Sequence, residues 1–302
     1  MARSDRRFPC RLTCLSVALA VLATLPAGLE AQQAPTPLIL TLPVSVRLAG
    51  LGGAGVAIAG DAGATFVNPA ALATIRHAAM EGSLQRYPDG TIETMGAAAF
   101  RLLQFDLGGG YHYLRFSDTS ATKDNLVWTG SATYRFGFIS LGSTLKYVSL
   151  EDSLDQIRRA GTMDLGAGIH VFDLMTLAFA VRNVGGWQVT GGPLTLPTSK
   201  HAGFSFNFTD PQETARVLGT VEVVWTEHAR RRTIIGAEAG AVLGKVGVVG
   251  RLGWGAPPEG AGQKEVSLGA GVVLSRFNID YAWQRRTKLG SHVHRFGLRF
   301  TI

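Results

Sequence analysis

Cysteine is nearly missing from this chain. Its two copies, Cys10 and Cys14, both precede residue 15, so the rest of the protein has no disulfide, thiolate nucleophile or thiolate-held metal. Long apolar runs are missing as well: beyond residue 31 no stretch approaches the roughly eighteen residues of a membrane-spanning helix. After residue 77 there is no convincing helical period, which removes helix bundles and βαβ folds. Charge is sparse and its small basic excess, +7, is spread along the chain, too diffuse for a nucleic-acid partner. The seven histidines, His77, His112, His170, His201, His228, His292 and His294, show no local serine, acid or metal-ligand pattern. An enzyme, a metal site and a cofactor are therefore not expected. What is plentiful is glycine, 38 residues, with only 12 prolines.

The start of the chain has the order of a secretory signal peptide. Arg3, Arg6, Arg7 and Arg11 make a positive head, residues 12–25 an apolar run, Pro26 and Gly28 a break, and Ala31 a small residue before a cut at Gln32. Removing residues 1–31 takes four arginines, Asp5 and Glu30, which leaves 271 residues without cysteine and a net charge of +5.

The remainder reads as roughly ten-residue runs of alternating apolar and polar residues, the weak but repeated signature of a transmembrane barrel. The last run shows it best. Phe296, Leu298, Phe300 and Ile302 share one face, and Arg295, Gly297, Arg299 and Thr301 the other. Fourteen strands are expected, near 78–87, 91–101, 103–116, 124–136, 138–150, 160–171, 174–184, 199–208, 215–226, 231–242, 245–254, 264–274, 276–285 and 293–302. The connections alternate in length. Those at 88–90, 117–123, 151–159, 185–198, 227–230, 255–263 and 286–292 are the long set. Those at 102, 137, 172–173, 243–244 and 275 are short, with 209–214 an exception. Bacterial barrels have an even strand number, short periplasmic turns and longer outer loops. The reading is thus an all-β antiparallel barrel facing outer-membrane lipid.

Outward positions include Trp128, Tyr134, Phe179, Phe204, Phe206, Trp225, Trp254, Tyr281 and Trp283. Inward positions carry Glu81, Asp106, Asp164, Glu222, Glu238, Glu265 and Asp280 against Arg135, Lys146, Arg182, Arg216, Arg251, Arg295 and Arg299. Lumen charges in balance point to ion pairs and a plug, since a buried charge is costly unless paired. Inward Leu114, Val127, Leu218, Val224, Ile234, Val249 and Val273 are candidates to line an apolar path beside them. The third strand holds Gly108, Gly109 and Gly110. Glycine inside a strand marks a bulge, a bend or a close approach, here either an opening in the wall or room for the plug.

Residues 32–77 differ in kind and read as a plug. Gly50, Gly52 and Gly55 satisfy the spacing of a dinucleotide loop, but no βαβ unit surrounds them and no acid follows at the ribose position. Small residues such as Gly52, Gly53 and Gly55 instead let backbones approach closely. Asn68 and Pro69 read as a helix start, cap followed by first turn, with a short helix over 70–75.

The run from Leu51 through Asp61 to Asn68, Pro69 and Ala73 resembles the N-terminal hatch of FadL-type long-chain fatty-acid transporters. It is also similar to PorV/PorQ-type barrels of type IX secretion. The C-terminal strand resembles an outer-membrane assembly signal. Either family implies a 14-stranded barrel with a plug. The first implies passive transport of a hydrophobic small molecule, with an inward kink of the third strand opening the wall sideways. The second implies docking of secreted proteins or secretion machinery. The residues leave both open.

Overall fold

The computed structural model describes residues 37–117, 123–151, 156–172, 174–192, 194, 196–212, 214–227, 229, 231–256, 265–285 and 292–302. The signal segment expected at 1–31 lies outside them. Fourteen antiparallel strands form one closed barrel. They are β1 (Ala78–Arg86), β2 (Ile92–Leu102), β3 (Phe105–Arg115), β4 (Asp124–Phe136), β5 (Ile139–Glu151), β6 (Ile157–Val171), β7 (Met175–Thr190), β8 (Ser199–Thr209), β9 (Ala215–Thr226), β10 (Arg232–Leu243), β11 (Val246–Gly255), β12 (Glu265–Leu274), β13 (Phe277–Gln284) and β14 (Val293–Thr301). β1 closes on β14 with Glu81 opposite Arg299 and Leu84 opposite Phe296, which leaves no free sheet edge.

Alternation sorts the side chains. Phe100, Trp128, Tyr134, Phe179, Phe204 and Phe296 are exposed on the outer face, while Glu81, Asp106, Asp164, Glu238 and Asp280 are buried in the lumen. A soluble barrel has the opposite arrangement. An apolar exterior of this extent suits hydrocarbon, where closure satisfies every backbone group.

One end of the barrel has very tight turns. Leu103, Gly137, Phe172, Gly244 and Ser275 sit there with φ of 57°, 59°, 50°, 67° and 56°. Short hairpin turns match strand twist through left-handed residues. Three of these five are not glycine, so the usual glycine signal is weak in the sequence.

β7 departs from expectation. It was expected over 174–184 but runs to Thr190, and β6 starts at Ile157. The β6–β7 pairing shifts register between Arg159 and Ala160, between Gly161 and Met163, and between Met163 and Leu165. Asn183 adopts φ 58°, and its N–H donates to Asp164 Oδ1 at 2.8 Å rather than to the ladder. The bulges carry the hairpin past the point where β8 begins.

Residues 37–75 fill the inside of the barrel, and the exposed Arg76 and His77 lead from them into β1. Ser45 caps a short helix, α1 (Val46–Gly50), by accepting from the Leu48 N–H. Gly52 and Gly53, at φ 76° and 92°, turn the chain out of it as a helix end requires. Two 3₁₀ turns follow, Ala62–Phe66 and Pro69–Thr74. The second replaces the helix expected over 70–75. Asn68 caps it through Oδ1, which accepts from the Ala70 N–H at 3.1 Å, and Pro69 takes the first position. α1 packs on β11 to β14, and the 3₁₀ turns pack mainly on β1 to β6.

Candidate functional site

The lumen and its plug hold most of the buried polar groups. Residues 32–75 contain only two charged side chains, Arg47 and Asp61. Both enter a closed cycle of ion pairs. Arg47 reaches Asp61 at 2.8 Å and Glu238 at 2.9 Å. Asp61 meets Arg299 at 2.6 Å, and Arg299 meets Asp280 at 2.6 Å. Asp280 meets Arg251 at 2.7 Å, and Arg251 returns to Glu238 at 2.6 Å. Arg216 also pairs with Glu238 from outside the cycle. Cations and anions alternate, so each charge faces opposite neighbours. Burial alone would raise the Asp61 carboxyl, but the guanidinium groups of Arg47 and Arg299 outweigh it and hold it below the usual carboxylate range.

Other lumen charges form separate clusters. Asp106 sits between Arg101 at 2.9 Å and Arg135 at 2.8 Å. Asp164 pairs with Lys146 at 2.7 Å and lies 3.9 Å from Arg182. Arg295 pairs with Glu93 at 2.6 Å and donates to the Pro43 carbonyl, a second tie between wall and plug. Glu222 accepts from the Gly55 and Val56 N–H groups at 2.6 and 3.0 Å. Its other oxygen lies 2.7 Å from His201 Nδ1, and His201 Nε2 lies 3.0 Å from Ser199 Oγ. A serine, a histidine and an acid thus do meet here, which spacing did not reveal. The acid is occupied in holding the plug, and Ser199 and His201 are both buried.

The plug motif is seated by shape. A Cβ at Gly142 would lie 2.8 Å from the Pro69 carbonyl carbon and the Ala70 nitrogen, and one at Gly166 would collide with Asn68 Oδ1. Two wall glycines therefore make the slot for Asn68 and Pro69. Thr133 Oγ1 donates to the Pro69 carbonyl, and Asn68 Nδ2 donates to the Val56 carbonyl at 2.7 Å. A Cβ at Gly55 would lie 2.8 Å from Leu48, and one at Gly52 3.1 Å from the Trp254 nitrogen.

Gly108, Gly109 and Gly110 carry two readings, an opening or room for the plug, and the strand ladder shows no break at the triplet. β3 pairs residue for residue with β2 and β4 along its whole length, with Gly109 between Ala98 and Gly130. Alternation instead divides the triplet. Gly108 and Gly110 point inward, where a Cβ would lie 2.9 Å from Leu72 and 2.9 Å from Phe66 of the plug. Gly109 points outward. On that side a hollow of about 1310 Å³ lies over Gly82, Gly96, Ala98, Gly109 and Gly130, rimmed by Phe100, Trp128 and Phe300.

The apolar path is likewise filled. Leu114 and Val127 pack on Ile39 and Leu42 of the plug, Leu218 joins the cluster of Leu51 and Phe66, and Ile234 abuts Gly52. Val224, Val249 and Val273 are half-buried. A cavity of about 10 Å³ between plug and wall, lined by Leu42, Phe66, His112 and Arg182, is near the size of one water.

No family model matches the chain, and no curated protein does. Solved structures do. A structure described as the CymD monoaromatic hydrocarbon channel superposes with a TM-score of 0.62 at 14% identity, covering 86% of this chain and 97% of that one. The Ralstonia pickettii toluene transporter TbuX gives 0.58 at 14% identity, covering 86% and 98%. A Pseudomonas aeruginosa FadL homologue gives 0.57 at 13% identity, covering 85% and 98%. The fold is that of the FadL-type barrels. At 13–14% identity the likeness lies in the fold of the backbone. The charge cycle, the Asn68 slot and the divided glycine triplet come from this chain's own side chains.

Proposed function

We propose that this chain is an outer-membrane barrel, exported with a cleaved signal, through which hydrophobic small molecules pass by diffusion. Residues 32–77 act as its plug and residues 78–302 as its wall. The observation that carries the reading is the wall of β1 to β5 at Gly108, Gly109 and Gly110. There an apolar hollow outside and plug residues Phe66 and Leu72 inside are separated by glycine backbone with no side-chain thickness. The fold shared with a hydrocarbon channel and a toluene transporter supports the same ligand class. At rest the wall is closed, so a sideways exit requires β3 to part from a neighbour while Phe66 and Leu72 move. Unpaired backbone is tolerated at membrane depth only when it is buried in protein or lines a water-filled cavity. A hydrocarbon cannot hydrogen-bond to it, so an opened wall has to keep its freed backbone groups against the plug or water.

Uptake of labelled toluene and of a labelled long-chain fatty acid tests this, with heat-modifiable gel mobility as the folding control. Gly109→Val adds its side chain outside, into the hollow and away from the plug. It should lower uptake severalfold in a folded barrel. Full uptake by folded G109V removes the lateral route. No uptake by the unaltered protein, together with co-purified secreted proteins, favours the competing role as a docking barrel for secretion.

A further inference from the structure

Barrel charges concentrate in the lumen, yet the outward face of β1, β13 and β14 carries a basic patch at the end away from the tight turns. Arg86 ends β1 on the outward side, two residues beyond the last β1–β14 pair, Leu84 with Phe296, so continuing that register would face it toward His294. His294 pairs across to Trp283 of β13. One pleat further out, Arg285 follows β13 and His292 precedes β14, again on the outward side. All four basic side chains are exposed. Directly opposed strand residues sit about 5 Å apart and same-face neighbours about 7 Å, so the four form one compact block.

Two features give the block a polarity. No carboxylate occupies an outward position on β13, β14, β1 or β2. Neither Arg86 nor Arg285 forms an ion pair among the described residues. The second feature is an aromatic shelf on the membrane side. The His292 ring stacks on Trp283 at 5.6 Å and 21°, and Tyr281 packs on Phe296 at 5.2 Å. The Tyr281 hydroxyl lies 2.8 Å from His294 Nδ1, and when it donates there Nε2 of His294 keeps its proton and points away as a donor. Arginine on a lipid-facing position is costly at mid-bilayer and nearly free at the interface. Aromatic rings below and guanidinium groups above mark that boundary on the long-loop side.

We propose that Arg86, Arg285, His292 and His294 bind the phosphate of a phosphorylated glycolipid in the outer leaflet, with its acyl chains laid along Tyr281, Trp283 and Phe296. The inference rests on the outer-membrane reading above. Guanidinium forks match phosphate oxygens in pairs, and a bilayer lipid is the anion that presents phosphate at this height with apolar chains beneath.

The test uses the full barrel in detergent micelles and three probes: lipid A with its phosphates, the same lipid dephosphorylated, and inorganic phosphate. The phosphorylated lipid should bind about thirtyfold tighter than the dephosphorylated one, roughly fivefold from each guanidinium. R86Q and R285Q should each remove one such factor, and the double variant should abolish the preference. K200Q, an exposed lysine on β8, should leave it intact. Because both arginines are exposed, heat-modifiable mobility should be unchanged. Equal binding of the two lipids overturns the proposal, and so does displacement of the lipid by millimolar inorganic phosphate, which would mark a free-phosphate site. Absence of any lipid preference in the unaltered barrel, with hydrocarbon uptake intact, defeats this inference alone. Intact preference without uptake defeats the transport reading alone.

Discussion

The plug is held by two different kinds of seat. Toward β10 to β14 charge is added to fit: beside wall glycines 236, 253 and 297 that receive the plug, Arg47 and Asp61 complete a cycle with Glu238, Arg251, Asp280 and Arg299. Toward β1 to β6 it is held without the plug's own charges: glycines at 108, 110, 142 and 166 leave hollows that Leu72, Phe66, Pro69 and Asn68 fill. The first seat is strong and intolerant, because removing one buried charge strands its partners. The second rests on dispersion and fit, which degrade gradually as atoms separate. A plug built this way yields first on the glycine side.

The largest effect should come from breaking the charge seat. Glu238→Ala leaves Arg47, Arg251 and Arg216 facing one another without their shared anion. A loss of about 3–5 kcal/mol is expected, read as a lower urea midpoint in lipid vesicles and as raised conductance in planar bilayers. Unchanged conductance would mean the cycle does not hold the plug. Next comes Gly142→Val, which drives side-chain atoms into the Pro69–Ala70 backbone. Overpacking of this kind costs about 1–3 kcal/mol, and the conductance should rise less than in E238A. An equal or greater rise would invert the ranking of the two seats. Asn68→Ala removes a cap worth about 1 kcal/mol together with the bond to the Val56 carbonyl. It should produce a small leak in a barrel of near-normal yield, and a fully sealed N68A barrel would show that the slot alone suffices. Ser275→Gly is the smallest change and lies outside both seats. It relieves a left-handed residue at φ 56°, a gain on the order of 1 kcal/mol, visible in the urea midpoint with conductance unaltered.

Much of the barrel was legible because alternation is imposed by geometry at every strand, as Arg295 to Ile302 show without any neighbour. The length of β7 was not, because it depends on where Asn183 leaves the ladder, which only the pairing partners determine. The glycine triplet is two features, not one. Alternation alone already puts Gly109 on the opposite face from Gly108 and Gly110, and that parity was the available signal. The charge cycle had a signal too, since Arg47 and Asp61 are the only charges in residues 32–75. The contact of Ser199 and His201 with Glu222 had none. It depends on the β8–β9 register, which sets Glu222 opposite Gly203 and so diagonal to His201, and no local pattern encodes register.

The charge cycle also sets a clock for biogenesis. Arg47 meets a carboxylate 191 residues later, and Asp61 a guanidinium 238 residues later, on the final strand. A ribosome releases the plug early, Glu238 much later on β10, and Arg299 later still on β14. Until β14 docks on β1, Asp61 has no Arg299 and the cycle is open. Contacts this distant in sequence are slow to form because a long loop must close first. Sealing of the lumen and completion of the wall thus become one late event, and a chain that stalls before its last strand should be left with an unsealed pore rather than a smaller closed one.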